Sequence, residues 1–127
     1  LSCKRMLRLL EETKELGGKR VYVTGGESLT KPVKTKAILE KAITLGIKEI
    51  SLLTNGLLLN EKWANYLHEI RDSLTVEMTV LSPQPKIHDS LTNYPGSLEK
   101  VKQATDLCLK KDIEVIWECQ NIFPMKL

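Results

Sequence analysis

Residues 20–27 have the sequence Arg20-Val21-Tyr22-Val23-Thr24-Gly25-Gly26-Glu27, and this stretch decides the fold expected of the chain. Its β-branched and aromatic first half is typical of a short strand. The glycine pair lets the backbone turn sharply and leaves its carbonyls and amides open to a ligand. Carbonyls beside the Glu27 carboxylate suit a cation, and an ammonium group best, whereas a phosphate loop would place a lysine there. The alternative interpretation is a strand-to-helix turn with an exposed glutamate.

Length and composition indicate one domain, residues 1–127. The hydrophobic content of 42% and charged content of 28% are ordinary for a globular protein. The chain is shorter than the roughly 200 residues that a closed α/β barrel needs. Its net charge of +3 is only mildly basic, and the lysines are spread along the predicted helices, so no nucleic-acid partner is expected.

The three cysteines, Cys3, Cys108 and Cys119, match no disulfide framework and no zinc site. This pattern indicates a reducing compartment, and we expect a cytoplasmic location. The sequence has no apolar run near the ~20 residues of a membrane span and no signal-peptide pattern. We therefore expect no membrane association, and no metal ligands within this chain.

Apolar periodicity and turn residues predict four helix–strand pairs. The first helix is predicted over Cys3–Leu16, and the other three begin at Pro32, after Asn60 and after the N-cap Ser97. The strands are predicted over Arg20–Val23, Lys48–Leu53, Leu74–Val80 and Ile113–Glu118. The segment Leu81–Gly96 is predicted to be a loop, and Gln120–Leu127 shows no periodicity. Strands alternating with helices of this length predict βαβ units and a parallel sheet.

The third strand indicates how the two faces of this sheet differ. Val76 and Met78 share one face, while Thr75, Glu77 and Thr79 share the other. The pattern predicts one apolar face under the helices and one partly polar face able to hold a ligand. The alternative is that Glu77 and Glu118 sit near strand edges and point to water.

Polar loops follow the first three strands at their carboxyl ends, which is where parallel α/β sheets bind ligands. These loops are Thr24–Glu27, Thr54-Asn55-Gly56 and Thr79–Ser82. His88-Asp89 could suggest acid–base chemistry, but in a turn-rich segment the pair is more simply structural.

Together these motifs, with Tyr94-Pro95-Gly96-Ser97-Leu98, resemble the core of the radical S-adenosylmethionine (SAM) superfamily, in its peptide-modifying and molybdenum-cofactor branches. The resemblance covers nearly the whole chain. It implies an α/β fold, a partial (β/α)6 TIM-like barrel of parallel strands with outer helices, of which about four βα units are present.

The resemblance also implies site residues. Gly25, Gly26 and Glu27 would hold the ammonium of SAM, which agrees with the cation argument above. Thr54 or Asn55 would lie near the ligand, and Thr79 would be a partner of the ribose hydroxyls.

The sequence departs from the family pattern at three places. Ser28 stands where the family has proline, and Leu81 where many relatives have aspartate. The cysteine triad CxxxCxxC, whose three thiolates bind three irons of a [4Fe-4S] cluster, is absent. The family therefore implies a cluster whose ligands this chain lacks, and the catalytic residues are unknown.

Three hypotheses follow. In the first, the chain is part of a radical SAM enzyme that cleaves SAM to a 5′-deoxyadenosyl radical and abstracts hydrogen from a peptide or small metabolite; this chain alone would be inactive. In the second, it is a non-catalytic half barrel that binds a ligand or partner. The third, an ordinary nucleotide- or phosphate-binding domain, is disfavoured by Glu27. Open sheet edges at the strands near 20 and 113 predict that the isolated chain self-associates or is poorly stable.

Overall fold

The computed structural model describes residues 2–24 and 27–119 of the chain. Its helices and strands are α1 (Cys3–Glu15), β1 (Arg20–Val23), α2 (Pro32–Thr44), β2 (Glu49–Thr54), α3 (Glu61–Glu69), β3 (Leu74–Thr79), α4 (Pro85–Thr92), α5 (Ser97–Lys110) and β4 (Glu114–Glu118). Short 3₁₀ turns occupy Ser28–Thr30 and Arg71–Ser73.

The four strands form one parallel sheet in the order β1-β2-β3-β4. Leu52 of β2 pairs with Val23 on one side and with Val76 on the other, and Val76 pairs with Val115 of β4. Because all strands run the same way, their carboxyl ends meet at one edge of the sheet. The predicted parallel α/β sheet is confirmed.

One face of the sheet packs against the helices. Its side chains alternate along each strand, and Leu52, Val76 and Met78 are fully buried. They join a single apolar cluster with residues of three helices, among them Leu39 of α2, Leu67 of α3 and Val101 of α5. Burial of this face accounts for most of the hydrophobic stabilisation of the chain.

The opposite face of the sheet is partly polar and only partly covered. Ser51, Thr75 and Glu77 are half-buried there, while Tyr22 is 57% and Ile116 45% exposed. This contrast between the two faces confirms the alternation predicted from the sequence.

The helix starts follow local sequence signals. The Ser2 hydroxyl accepts a hydrogen bond from the Arg5 amide at 3.2 Å, and the Asn60 side chain accepts one from the Trp63 amide at 2.9 Å. Both residues satisfy amide groups that the helix itself leaves without partners. Pro32 occupies the first turn of α2, where its missing N–H costs nothing.

Two predictions about the segment before α5 are wrong. The predicted loop 81–96 contains α4, because Pro85 stands in the first turn of that helix, where proline is compatible with helical backbone. The predicted N-cap of α5, Ser97, is its first helical residue, and Gly96 holds the cap position in left-handed backbone. A side chain from α4 supplies the cap instead.

All three cysteines are unpaired. Cys108 is fully buried, as expected for a core thiol, and its burial raises the thiol pKa to about 11. None of the helices within residues 2–24 and 27–119 is long and apolar enough to cross a membrane.

The central position of β2 gives a direct test of the packing. Replacing Leu52, which is fully buried, by alanine should lower the free energy of unfolding by about 2–5 kcal/mol because a cavity remains. The matched change at Leu109, which is 57% exposed, should cost no more than about 0.5 kcal/mol. Urea unfolding followed by circular dichroism measures both; equal effects would contradict the assignment of the buried face.

Candidate functional site

The Glu27 carboxylate joins the loops that follow β1 and β2. Its Oε1 accepts a hydrogen bond from the Thr54 hydroxyl at 2.7 Å, and its Oε2 accepts one from the Asn55 amide at 2.8 Å. Oε1 also accepts the Leu29 amide at 3.2 Å. The structure thus brings together three of the predicted site residues, Glu27, Thr54 and Asn55, at the carboxyl edge of the sheet.

Glu27 is half-buried, so it is not the exposed turn residue of the alternative interpretation. A carboxylate offers about four acceptor positions, and among residues 2–24 and 27–119 three are taken, by Thr54, Asn55 and Leu29. One position on Oε2 remains for a further donor. The charge is therefore oriented by the protein and still able to accept a cationic N–H group.

The chain folds back locally to hold Glu27 in this position. Glu27 caps the 3₁₀ turn Ser28–Thr30 with its side chain, and the Thr30 hydroxyl donates to the Glu27 carbonyl at 2.7 Å. The Thr35 hydroxyl of α2 donates to the Ser28 carbonyl at 2.5 Å, which fixes the turn to the helix. Gly25 and Gly26, also predicted site residues, lie outside the described residues.

The Thr54-Asn55-Gly56 turn is rigid for two reasons. The Thr54 hydroxyl accepts the Gly56 amide at 3.2 Å, and the Asn55 side chain accepts the Leu57 amide at 3.0 Å, as in an Asx turn. Gly56 has φ +81°, and a Cβ there would lie 3.3 Å from the Val101 Cα. Only glycine meets both conditions without strain, so the turn is fixed against α5.

Thr79, the predicted ribose partner, lies at the end of β3 on the partly polar face, paired in register with Glu118. It lines a hollow of about 250 Å³ together with Asn55 and His88. Thr79 thus shares a cavity with one of the Glu27 partners, although its side chain lies two strands away from β1.

His88 is held neutral inside the structure. It is 1% exposed, and its Nδ1 accepts a hydrogen bond from the Leu81 amide at 3.1 Å. That bond assigns the proton of the neutral ring to Nε2. Burial lowers the pKa of His88, and the neighbouring Asp89 charge opposes this only in part.

Asp89 is the cap of α5. Its carboxylate accepts the Gly96 amide at 2.8 Å, the Leu98 amide at 3.0 Å and the Ser97 hydroxyl at 3.1 Å. The bond from the Leu98 amide contributes most to lowering the pKa of Asp89, with help from Gly96, Ser97 and His88. The pair His88-Asp89 is therefore structural, as the sequence interpretation favoured.

Glu77 lies within the sheet on its partly polar face, paired in register with Leu53 and Ile116, so the strand-edge alternative is wrong for it. Glu118, by contrast, ends the outer strand β4 and is exposed, as that alternative predicts. The Ser51 hydroxyl donates to its carboxylate at 3.2 Å. Burial raises the pKa of Glu77, and the nearby Glu118 raises it further, while Ser51 lowers it. The carboxyl groups of Glu77 and Glu118 therefore lie close together on the open face.

Two groups at the site escaped the sequence analysis. The Leu29 amide in the 3₁₀ turn donates a hydrogen bond to the Glu27 carboxylate. A backbone amide is present in almost every residue type, so the sequence does not indicate which one will bind. Ser28, which stands where the family usually has proline, is buried next to Glu27. Its replacement of the family's proline was the available signal.

The described residues do not fit an iron–sulfur cluster. Residues 2–24 and 27–119 contain no group of three or more His, Cys, Asp or Glu placed to hold a metal ion. Cys3 begins α1, Cys108 lies in α5 and Cys119 follows β4.

Comparison with known proteins shows that the chain matches a known protein family. The family model of the Radical SAM superfamily matches residues 1–126. A probable GTP 3′,8-cyclase of Methanococcus maripaludis strain C6 is 31% identical over 116 residues, which are 91% of this chain and 36% of that protein. The GTP 3′,8-cyclase of Clostridium acetobutylicum is 26% identical over 116 residues, which are again 91% of this chain and 36% of that protein. The chain thus spans about a third of the length of these relatives.

Solved structures share the fold. A structure of native anSMEcpe with bound AdoMet has a TM-score of 0.74 at 22% identity, covering 94% of this chain and 34% of that chain. SuiB of Streptococcus suis has a TM-score of 0.60 at 18% identity, covering 100% of this chain and 36% of that chain. At these identities the likeness concerns the fold, and it agrees with a partial barrel.

The Asp89 cap predicts a pH-dependent stability. Because the folded pKa of Asp89 is lowered, its contribution is fully present above the ordinary value of about 3.9 and is lost as the pH falls through the folded pKa. Asp89→Asn should therefore lower the urea midpoint at pH 7, and the difference from the parent chain should shrink at about pH 3.

The matched control is Asp106→Asn, an exposed position on α5, the helix that Asp89 of α4 caps. It should leave the midpoint nearly unchanged at both pH values. A difference between Asp89→Asn and the parent chain that is the same at both pH values would show that the Asp89 charge is not responsible.

Proposed function

This chain belongs to the radical SAM superfamily, and we propose that it forms the part of a radical SAM enzyme core that binds SAM at the carboxyl ends of its strands. The observation that carries the proposal is the Glu27 carboxylate, held by Leu29, Thr54 and Asn55, with one acceptor position left among the residues that the structure describes. An ammonium group, such as that of the SAM methionyl end, supplies the missing donor and a complementary charge.

The neighbouring groups define the remaining roles. Thr54 and Asn55 orient Glu27 through their bonds to its two carboxylate oxygens. Gly25 and Gly26 would add carbonyl acceptors for the same ammonium. Thr79, in the hollow it shares with Asn55, would offer a hydroxyl to the ribose.

For the complete protein we propose a radical SAM enzyme that acts on a peptide or small-molecule substrate. In this family SAM, once bound beside a [4Fe-4S] cluster, supplies a radical for hydrogen abstraction. The described residues do not hold the cluster, so its ligands would come from elsewhere in the protein. The alternative is a half barrel that binds a ligand without redox chemistry. We also propose a cytoplasmic location, because unpaired cysteines indicate a reducing compartment.

The binding proposal is tested by Glu27→Gln. The amide keeps the size of the side chain but removes the charge, so the Kd for SAM should rise at least ~10-fold, equivalent to about 1.4 kcal/mol. Titration calorimetry measures the Kd, and circular dichroism checks the fold. Glu15→Gln, exposed at the end of α1, is the matched control; an unchanged Kd in Glu27→Gln would contradict the assigned role.

We also propose that the chain self-associates through its open sheet edges. Within the described sheet, β1 and β4 each pair on one side only, and unpaired edges invite strand addition. Light scattering over a concentration series should detect dimers or larger species. Ile116→Lys, which places a charge on the exposed part of β4, should reduce them, whereas Leu109→Lys in α5 should not. A monodisperse monomer at all concentrations would contradict the idea.

A further inference from the structure

The hollow that Thr79 shares with Asn55 is also lined by the buried side chain of His88. Its volume of about 250 Å³ is smaller than the roughly 300–1,000 Å³ of pockets that hold drug-sized ligands. It therefore suits a small group rather than a whole cofactor. SAM binding at Glu27 gives His88 no role, and the structural bond of His88 uses only one of its two ring nitrogens.

The second ring nitrogen of His88 presents an N–H group to this hollow. Because Nδ1 accepts the Leu81 amide at 3.1 Å, the neutral ring carries its proton on Nε2. Nε2 has no hydrogen-bond partner within residues 2–24 and 27–119. Outside the exposed residues of that same part, Ser28 Oγ is the one fully buried side-chain nitrogen or oxygen without a partner. Nε2 therefore reaches open space, and the hollow is the space that this 1% exposed side chain lines.

Two further groups of the lining can donate hydrogen bonds. The Asn55 side-chain oxygen accepts the Leu57 amide, which leaves the Asn55 Nδ2 without a partner in the described part of the chain. The Thr79 hydroxyl has no partner there either. The hollow thus combines an imidazole N–H, an amide NH₂ and a hydroxyl, and this set of donors matches a ligand that accepts hydrogen bonds.

The charges around the hollow favour an uncharged acceptor. None of the described residues that line it is Lys, Arg, Asp or Glu, so no cation offsets the cost of removing an anion from water. Two carboxylates bond to the lining from behind: Glu27 accepts the Asn55 amide, and Asp89 accepts the Ser97 hydroxyl. Both would repel an anion in the hollow.

We propose that this hollow binds the carbonyl oxygen of a small uncharged amide or ring lactam, with the His88 Nε2–H as a donor. A carbonyl oxygen has two lone pairs, so it can accept from His88 and from Asn55 or Thr79 at the same time. Leu57 and Leu81 also line the hollow and provide apolar contact for the carbon atoms beside the carbonyl. The site uses neither the charge of Glu27 nor bound SAM.

The first test titrates the ¹⁵N-labelled chain with N-methylacetamide, with uracil and with sodium acetate, at constant ionic strength in chloride. A saturable shift of the His88 Nε2 signal is expected with at least one of the two uncharged probes. Saturation by N-methylacetamide alone indicates a peptide-like amide, and saturation by uracil alone indicates a ring lactam. Shifts that never saturate with either probe, or tighter binding of acetate than of both, would overturn the proposal.

Two variants of His88 separate the donor from the fold. His88→Asn keeps an acceptor for the Leu81 amide but leaves no donor at the place of Nε2, so the Kd for the amide should rise at least ~5-fold, as for the loss of one hydrogen bond. His88→Gln places its terminal NH₂ near that position and should retain binding close to that of the parent chain.

The matched control is His68→Asn, the same change at the other histidine of the chain, which does not line the hollow and should leave the Kd unchanged. Circular dichroism checks the fold of each variant. An equal Kd in His88→Asn and the parent chain would contradict the role of Nε2. The Nε2 signal of the parent chain decides the question by itself if a variant fails to fold.

SAM titrations separate this proposal from the proposed function. Saturable amide binding that His88→Asn weakens, in a chain that does not bind SAM, supports the amide site and counts against the SAM role. SAM binding that Glu27→Gln weakens, with no saturable binding of either uncharged probe, overturns the amide site and leaves the SAM role intact.

Discussion

The hydrogen bonds of one carboxylate connect the first two units of this fold. Glu27 follows β1, yet its partners Thr54 and Asn55 lie 27 and 28 residues further along the chain, at the end of β2. Charged acceptors form the stronger class of hydrogen bond, so this contact fixes the relative position of the two loops. Ligand atoms placed at the edge of the sheet would therefore meet groups that are already oriented, and little reorganisation would be required of them.

Close packing against a helix also fixes this edge of the sheet. Gly56 leaves no room for a side chain against Val101 of α5, and α5 is in turn capped by Asp89 of α4. The polar loops thus lie on a layer of helices whose ends are fixed by specific hydrogen bonds. Within residues 2–24 and 27–119 the open face of the sheet has no such cover, and there the Glu118 carboxylate raises the pKa of Glu77.

Much of the fold was predictable because its signals are local. The alternation within β3 and the caps Ser2 and Asn60 depend on neighbouring residues, so the sequence contains them directly. The sequence prediction lacks the helix α4, because Pro85 lies in a proline-rich segment that is typical of a loop, yet in a first turn proline is a helix-starting residue. The partners of Glu27 and Asp89 could not be derived in the same way, since they form only when distant segments meet. A backbone amide such as that of Leu29 has no signature in the sequence at all.

The order of the strands in space equals their order along the chain. Each strand therefore meets its neighbour after a single helical connection or a short run of helices, and no strand must wait for a distant segment before it can pair. The stability of such an arrangement resembles that of a repeat protein, in which each unit interacts mainly with the next. A unit could be added to or lost from either end without rearranging the hydrogen-bond ladder between the others, so the architecture is modular in a way that a closed barrel is not.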